Sequence, residues 1–270
     1  MNVKRILSGM FGLPIVVAIL VLGNKYVVDA ILAIIAVVSI HEYMKCVDTK
    51  VNPVKWVGYV FAALIAFIHV IPIANLGQYV GFDLIMIVVL LFLIVILSEL
   101  KTNIIDISVT LFGVIYIVGF ISYISILYGL DEIGKYYVWY IFAASWGSDV
   151  LAYCIGKRFG KHKFSKISPN KSLEGCIAGA IGGTICTLGY TVALNMFFGM
   201  DINYLTIGLI GLILSIIGQL GDFSASSIKR YAEVKDFSNL IPGHGGMIDR
   251  IDSVIFIAPF TYYLLKIFIM

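Results

Sequence analysis

The sequence predicts an all-α integral membrane protein of about nine transmembrane helices with a cytoplasmic N-terminus. Three observations carry that expectation. Only 13% of the 270 residues are charged, against about 25% in soluble domains. The chain is 60% hydrophobic with a mean hydropathy of +1.00, and its apolar residues gather in long blocks. All but three of the 19 Lys and Arg fall in alternate connections, as the retention of basic residues on the cytoplasmic side requires.

Apolar runs near or above the roughly 20 residues that cross a bilayer begin at Ile6, Tyr26, Trp56, Val80, Ile104, Tyr136, Gly175, Tyr204 and Ile251. The first follows Lys4 and Arg5 as a signal peptide would. Its apolar core is longer than that of a signal peptide and no small-residue cleavage site follows, so it is read as a retained helix. With the N-terminus inside, Lys4, Arg5, Lys45, Lys50, Lys55, Lys101, the basic residues from Lys157 to Lys171, and Lys229, Arg230, Lys235 and Arg250 face the cytoplasm, leaving Lys25, Lys135 and Lys266 elsewhere. Charge gathered on one face suits anionic lipids and phosphorylated solutes; nucleic acid is not expected as a partner. Cys46, Cys154, Cys176 and Cys186 show no paired short spacing, so neither a zinc site nor a disulfide framework is expected.

The chain reads as one membrane domain without a convincing internal repeat. To about Leu130 it is scaffold, its polar content ordinary apart from His41 and Glu42 at the end of the second helix. From Trp146 onward polar residues enter the helices, and the two longest cytoplasmic connections appear near 156–174 and 231–249. Function is expected there, in the catalytic helices and loops of 136–270. The helix opening GCIAGAIGG spaces Gly175, Gly179 and Gly183 four apart, which allows another helix close approach, within the chain or between protomers.

In the eighth helix Ser215, Gln219, Asp222, Ser226 and Lys229 recur at intervals of four, three, four and three, which places them on one face. A carboxylate inside a membrane helix costs about 2.5–3.5 kcal/mol on insertion scales. Asp222 therefore calls for a polar partner, either a cavity with a bound ion or a pair with Lys229 or Arg230. Next comes KDFSNLIPGHGGMIDRID, where Pro242, Gly243, Gly245 and Gly246 break the helix and free backbone N–H groups for an anion. Asp249, Arg250 and Asp252 open the ninth helix; Asp252 suits simple capping equally well. Asp222 and Asp249 beside Lys229, Arg230, Lys235, His244 and Arg250 suit magnesium held jointly by protein and phosphate oxygens. His244 is open between ligand, phosphate contact, general acid and a structural role.

A second cluster lies in the sixth helix, where Ser145, Asp149, Tyr153 and Gly156 share a face by their near fourfold spacing. The basic run Lys157, Arg158, Lys161, His162 and Lys163 can snorkel to headgroups, but SPNKSLEG, with Ser168, Pro169, Asn170, Lys171, Ser172 and Glu174, leads straight into a glycine-opened helix.

These residues form a pattern. Ser226-x-Ile228-Lys229-Arg230 is followed by Lys235-Asp236-x-Ser238 and then Ile241-Pro242-x-His244-Gly245-Gly246-Met247-x-Asp249-Arg250-Ile251-Asp252. With Asp149-x-x-Ala152-Tyr153-x-x-Gly156-Lys157 and the SPNKSLEG segment, it resembles the phosphatidate cytidylyltransferases, or CDP-diacylglycerol synthases. Ala225 stands where many of that family carry Glu. The resemblance implies transfer of a cytidylyl group from CTP to phosphatidate with release of pyrophosphate. It also implies magnesium with a monovalent cation such as potassium, Asp222 and Asp249 as metal ligands, and a homodimer in the cell membrane. In the same sense Lys229, Arg230, Lys235, Asp236, His244 and Arg250 join the catalytic set. Asp149, Tyr153, Ser168, Pro169, Asn170, Lys171, Ser172, Glu174, Ser226, Gly245 and Gly246 would bind substrate. The nearest alternatives are CTP-using enzymes of polyprenol or ether lipids, as kinases or cytidylyltransferases. A transporter relaying ions through Asp149 and Asp222 is disfavoured by the one-sided basic loops. The absence of an Asp-Gly dipeptide and of a Walker motif removes CDP-diacylglycerol-consuming and P-loop enzymes.

Overall fold

The computed structural model describes residues 14, 16–70, 76–130, 132–163, 167–169, 171–240 and 245–270, with backbone alone for 76–83. Regular structure among them is helical: α1 (Lys25–Val47), α2 (Lys55–Leu64, continued by a tighter turn Ile65–Phe67) and α3 (Leu76–Leu97). Then come α4 (Ile104–Tyr128), α5 (Gly134–Phe159), α6 (Leu173–Phe198), α7 (Tyr204–Tyr231) and α8 (Ile248–Phe268). Among the described residues six helices, α1 and α4 to α8, are long and apolar enough to cross a membrane. Lys55–Phe67 and Leu84–Leu97 are shorter apolar helices; at 1.5 Å per residue the former extends roughly 20 Å, less than the hydrocarbon thickness of about 30 Å. Most of the run predicted from Ile6 lies outside the described residues, although 16–22 are helical.

Local chemistry sets the helix ends. The Asn24 side chain accepts from Val27 N (3.0 Å) and starts α1. Asn103 and Asp106 form a reciprocal capping box at α4, which satisfies N–H groups the helix cannot. Ser172 caps α6 through its Oγ, which accepts from Gly175 N at 3.1 Å. That helix ends at Gly199, whose φ of 63° is the left-handed conformation in which glycine closes a helix without a Cβ penalty.

The contacts divide the chain into two compact units, residues 1–125 with 231–248, and residues 126–230 with 249–270. In the first, Asp29 is fully buried. Its carboxylate accepts from Ser125 Oγ, pairs with His69 Nδ1 (2.8 Å) and accepts from His69 N (3.3 Å). Those bonds offset the desolvation of a charge in an apolar interior. In the second unit small residues let helices touch. A Cβ on Gly147 of α5 would stand 2.8 Å from Gly182 O of α6, and one on Gly179 would stand 2.9 Å from Ser148 Oγ and 3.0 Å from Gln219 Nε2. The glycine-spaced face of α6 is thus spent inside the chain.

Candidate active site

The polar stripe of α7 faces the interior of the second unit. Ser215 is buried and donates to Gly211 O at 2.6 Å. Gln219 Nε2 donates to Cys176 O (3.0 Å), Asp222 pairs with Lys171, and Lys229 Nζ donates to Asp249 Oδ1 at 2.6 Å. Ser226 is buried. The alternative in which Asp222 pairs with Lys229 or Arg230 is therefore corrected. Its partner comes from the 160–172 connection, and Lys229 goes to α8. Lys171 Nζ also stands 4.3 Å from the centre of the Phe223 ring, where the quadrupole favours a cation.

The two ion pairs differ in setting. The Lys171 and Asp222 side chains are 27% and 31% exposed, those of Lys229 and Asp249 only 13% and 4%. The charges of Asp149, Asp222 and Asp252 are close enough to act on one another, with Lys171 and Arg250 beside Asp149 and Lys229 beside Asp252. Asp252 Oδ1 accepts from Ser253 N at 2.8 Å, and because α8 begins at Ile248 the residue lies within the helix, not at its cap. Among the described residues no group of three or more His, Cys, Asp or Glu could hold a metal ion. Asp222 and Asp249, the carboxylates expected to hold magnesium, are each paired with a lysine.

The 160–172 connection is folded to present Lys171. Glu174 accepts from Lys161 N and His162 N, both at 3.2 Å, and pairs with His162 Nδ1 at 2.6 Å. Lys163 and Ser172 form an antiparallel bridge, Lys171 N donates to Ser168 O (3.1 Å) beside Pro169, and Arg230 Nε donates to Ile167 O (3.4 Å). Ser172 and Glu174, expected to touch substrate, are engaged in building this loop. Asn170 lies outside the described residues. Of the predicted α5 face, Ser145 is buried and Gly156 lies against Gly175, whereas Asp149 is exposed. Tyr153 is also exposed, its hydroxyl 3.4 Å from Lys157 Nζ.

The 231–248 segment belongs to the first unit. Lys235 and Asp236 are exposed, and Lys50 donates to Glu233 at 2.6 Å. His244 and the preceding Ile241, Pro242 and Gly243 lie outside the described residues. Gly245 has a φ of 82°, left-handed backbone that suits glycine. Gly246 is required by a residue the sequence reading left in the scaffold, since a Cβ there would lie 2.5 Å from Glu42 Oε2. Glu42, 3% exposed, accepts from Ser238 Oγ (2.5 Å), Met247 N (2.9 Å) and Ile248 N (3.0 Å). The signal was in the sequence, because a carboxylate in an apolar helix needs partners.

The ion pairs Lys171–Asp222 and Lys229–Asp249 lie in a chain whose described residues include six helices long and apolar enough to cross a membrane. The model of the cytidylyltransferase family matches residues 3–268. A phosphatidate cytidylyltransferase of Staphylococcus haemolyticus is 32% identical over 269 residues, covering 97% of this chain and 98% of the relative. The Bacillus subtilis phosphatidate cytidylyltransferase is 40% identical over 163 residues, 56% of this chain and 59% of that protein, and the Staphylococcus aureus (strain COL) one is 38% identical over 172 residues, 63% of each. The chain belongs to the cytidylyltransferase family. It is an integral membrane enzyme of the nucleotidyltransferase class.

Proposed function

We propose that this chain joins CTP to phosphatidate, giving CDP-diacylglycerol and pyrophosphate. The observation that carries this reading is the pairing of Asp222 on α7 with Lys171 of the 160–172 connection, and of Lys229 on α7 with Asp249 on α8, in a family whose members at 32–40% identity are named for that reaction.

An oxygen of the lipid phosphate attacks the α-phosphorus of CTP in line. The lipid O–Pα bond forms, the bond from Pα to the oxygen bridging Pβ breaks, and its electron pair leaves on pyrophosphate. The lipid supplies the nucleophile, so no serine or cysteine is needed. What the protein must provide is charge complementarity to the leaving pyrophosphate and fixed geometry. In this reading Lys171, Lys229 and Arg250 supply those cations. Asp222 and Asp249 would hold magnesium, which supplies neutralisation of phosphate charge when bound, and potassium is the monovalent partner in this reading.

The distribution of Lys and Arg supports nine spans, a cytoplasmic N-terminus and a site facing the cytoplasm in the cell membrane. We read the active form as a homodimer on the family resemblance, with its interface away from Gly179 and Gly183, which are packed against α5 and α7. The test is incubation of purified protein in detergent with CTP, magnesium and phosphatidate, beside a matched polyprenol. CDP-diacylglycerol and pyrophosphate in equal amounts are expected from phosphatidate; turnover of the polyprenol alone would overturn the assignment.

A further inference from the structure

Glu42 stands in the last turns of α1, in the half of the sequence that reads as scaffold, yet every acceptor bond found for it reaches the segment that leads into α8. Its carboxylate takes Ser238 Oγ at one end of that segment and Met247 N and Ile248 N at the other. Gly246, between them, has no side chain where a Cβ would collide with the same carboxylate. The next residue after Ile248 is Asp249.

We infer that Glu42 is a positioning residue for the reaction: it holds Ser238 and the first turn of α8, the helix whose second residue is Asp249. A carboxylate accepting two backbone N–H groups at a helix N-terminus meets both the unpaired donors and the positive end of the helix dipole. It occupies the position a phosphate would take at such a terminus. The amides of Met247 and Ile248 are therefore bound to the protein's own anion, and CTP phosphates rely on side-chain cations instead. This inference rests on the role proposed for Asp249.

The test compares wild type with Glu42→Gln, which keeps the side-chain size and removes the charge, and with Gly246→Ala, which leaves Glu42 in place and pushes its carboxylate aside. Two measurements are made on protein in detergent. Backbone hydrogen exchange across residues 238–252, without magnesium, should rise roughly tenfold in both variants, with exchange in α6 unchanged. The magnesium concentration for half-maximal CTP turnover should rise about tenfold, the usual scale when a residue supporting a ligand is lost. A smaller folded fraction lowers the maximum rate and leaves that concentration in place, so the shift separates positioning from mere stability. Unchanged exchange in 238–252, a rise spread over the whole chain, or an unmoved magnesium requirement in both variants would each overturn the inference. If Glu42→Gln cannot be purified folded, Gly246→Ala decides alone by the same criteria. Absence of CTP turnover in wild type would sink the proposed function instead, and the exchange measurement would still decide whether Glu42 holds the loop.

Discussion

Lys229 and Asp249 are the more buried pair, and Lys171 and Asp222 the more open one. Breaking a buried pair by removing one partner strands a charge, at about 3–5 kcal/mol, so Lys229→Ala should lower both the thermal midpoint in detergent and turnover. Lys171→Ala should separate the two: at 27% exposure its pair contributes about 1 kcal/mol or less, while loss of a cation at the leaving phosphates should slow turnover by roughly 100-fold or more. Unfolding scans beside initial rates check both, and equal loss of stability in the two variants would contradict the assignment. Lys50 and Glu233 make a useful contrast on the exposed surface. Their hydrogen bond raises the Lys50 pKa and holds that of Glu233 below the ordinary carboxylate range. What this contact contributes is present at neutral pH and lost as pH falls through the lowered Glu233 value. Glu233→Gln should change turnover by less than about twofold. Asp222 and Asp249 were legible as single residues because a carboxylate amid apolar neighbours is conspicuous. Their partners were not, since Lys171 precedes Asp222 by the whole of α6 and no spacing rule links them.

At the scale of elements, α5, α6 and α7 hold the site because their facing residues are small. A Cβ at Gly183 would meet Ser215 Oγ and the Ala144 carbonyl, and overpacking of that kind costs about 1–3 kcal/mol. Gly183→Val should therefore lower the thermal midpoint. Gly189→Ala, on the same helix with nothing within 4 Å of an added Cβ, should leave it unchanged or raise it through helix propensity. The spacing of Gly175, Gly179 and Gly183 announced a close approach, and only the structure shows which helices approach. The polar face of α7 followed from helical periodicity alone, because intervals of three and four fix a face whatever the tertiary context. The 160–172 connection was less readable. Its polar residues suggested substrate contact, and several instead build the loop: Ser172 as a cap, Glu174 as an acceptor for two amides and a histidine. A loop that must place one lysine uses most of its polar atoms on itself, and sequence does not separate those from the ones left for a ligand.

For the whole molecule, the helical class and the runs from Tyr26, Ile104, Tyr136, Gly175, Tyr204 and Ile251 were readable because a membrane helix must be continuously apolar, whereas those from Trp56 and Val80 meet only shorter apolar helices among the described residues. The run from Trp56 shows where that reading falls short: helix Lys55–Phe67 gives way to a turn at His69, which is tied to Asp29. Hydropathy sees a continuous block there, while a buried polar bond sets the end. Glu42 belongs to the same lesson, since its partners lie about 200 residues further along. The orientation is open to direct labelling. With the native cysteines replaced, single cysteines at Lys161 and Lys235 should react with an impermeant maleimide in inverted vesicles and stay unlabelled in intact cells; labelling from outside would reverse the topology. The central claim is that the chain moves a cytidylyl group onto a lipid phosphate, and CTP carrying label at either the α- or the γ-phosphorus tests it most directly. Incubated with phosphatidate and magnesium, α-label should appear in the lipid extract and γ-label only in pyrophosphate, with both transfers lost in Asp222→Asn and Asp249→Asn. Lipid carrying the γ-label would mark a kinase, and undiminished α-label transfer by either variant would contradict the carboxylate site.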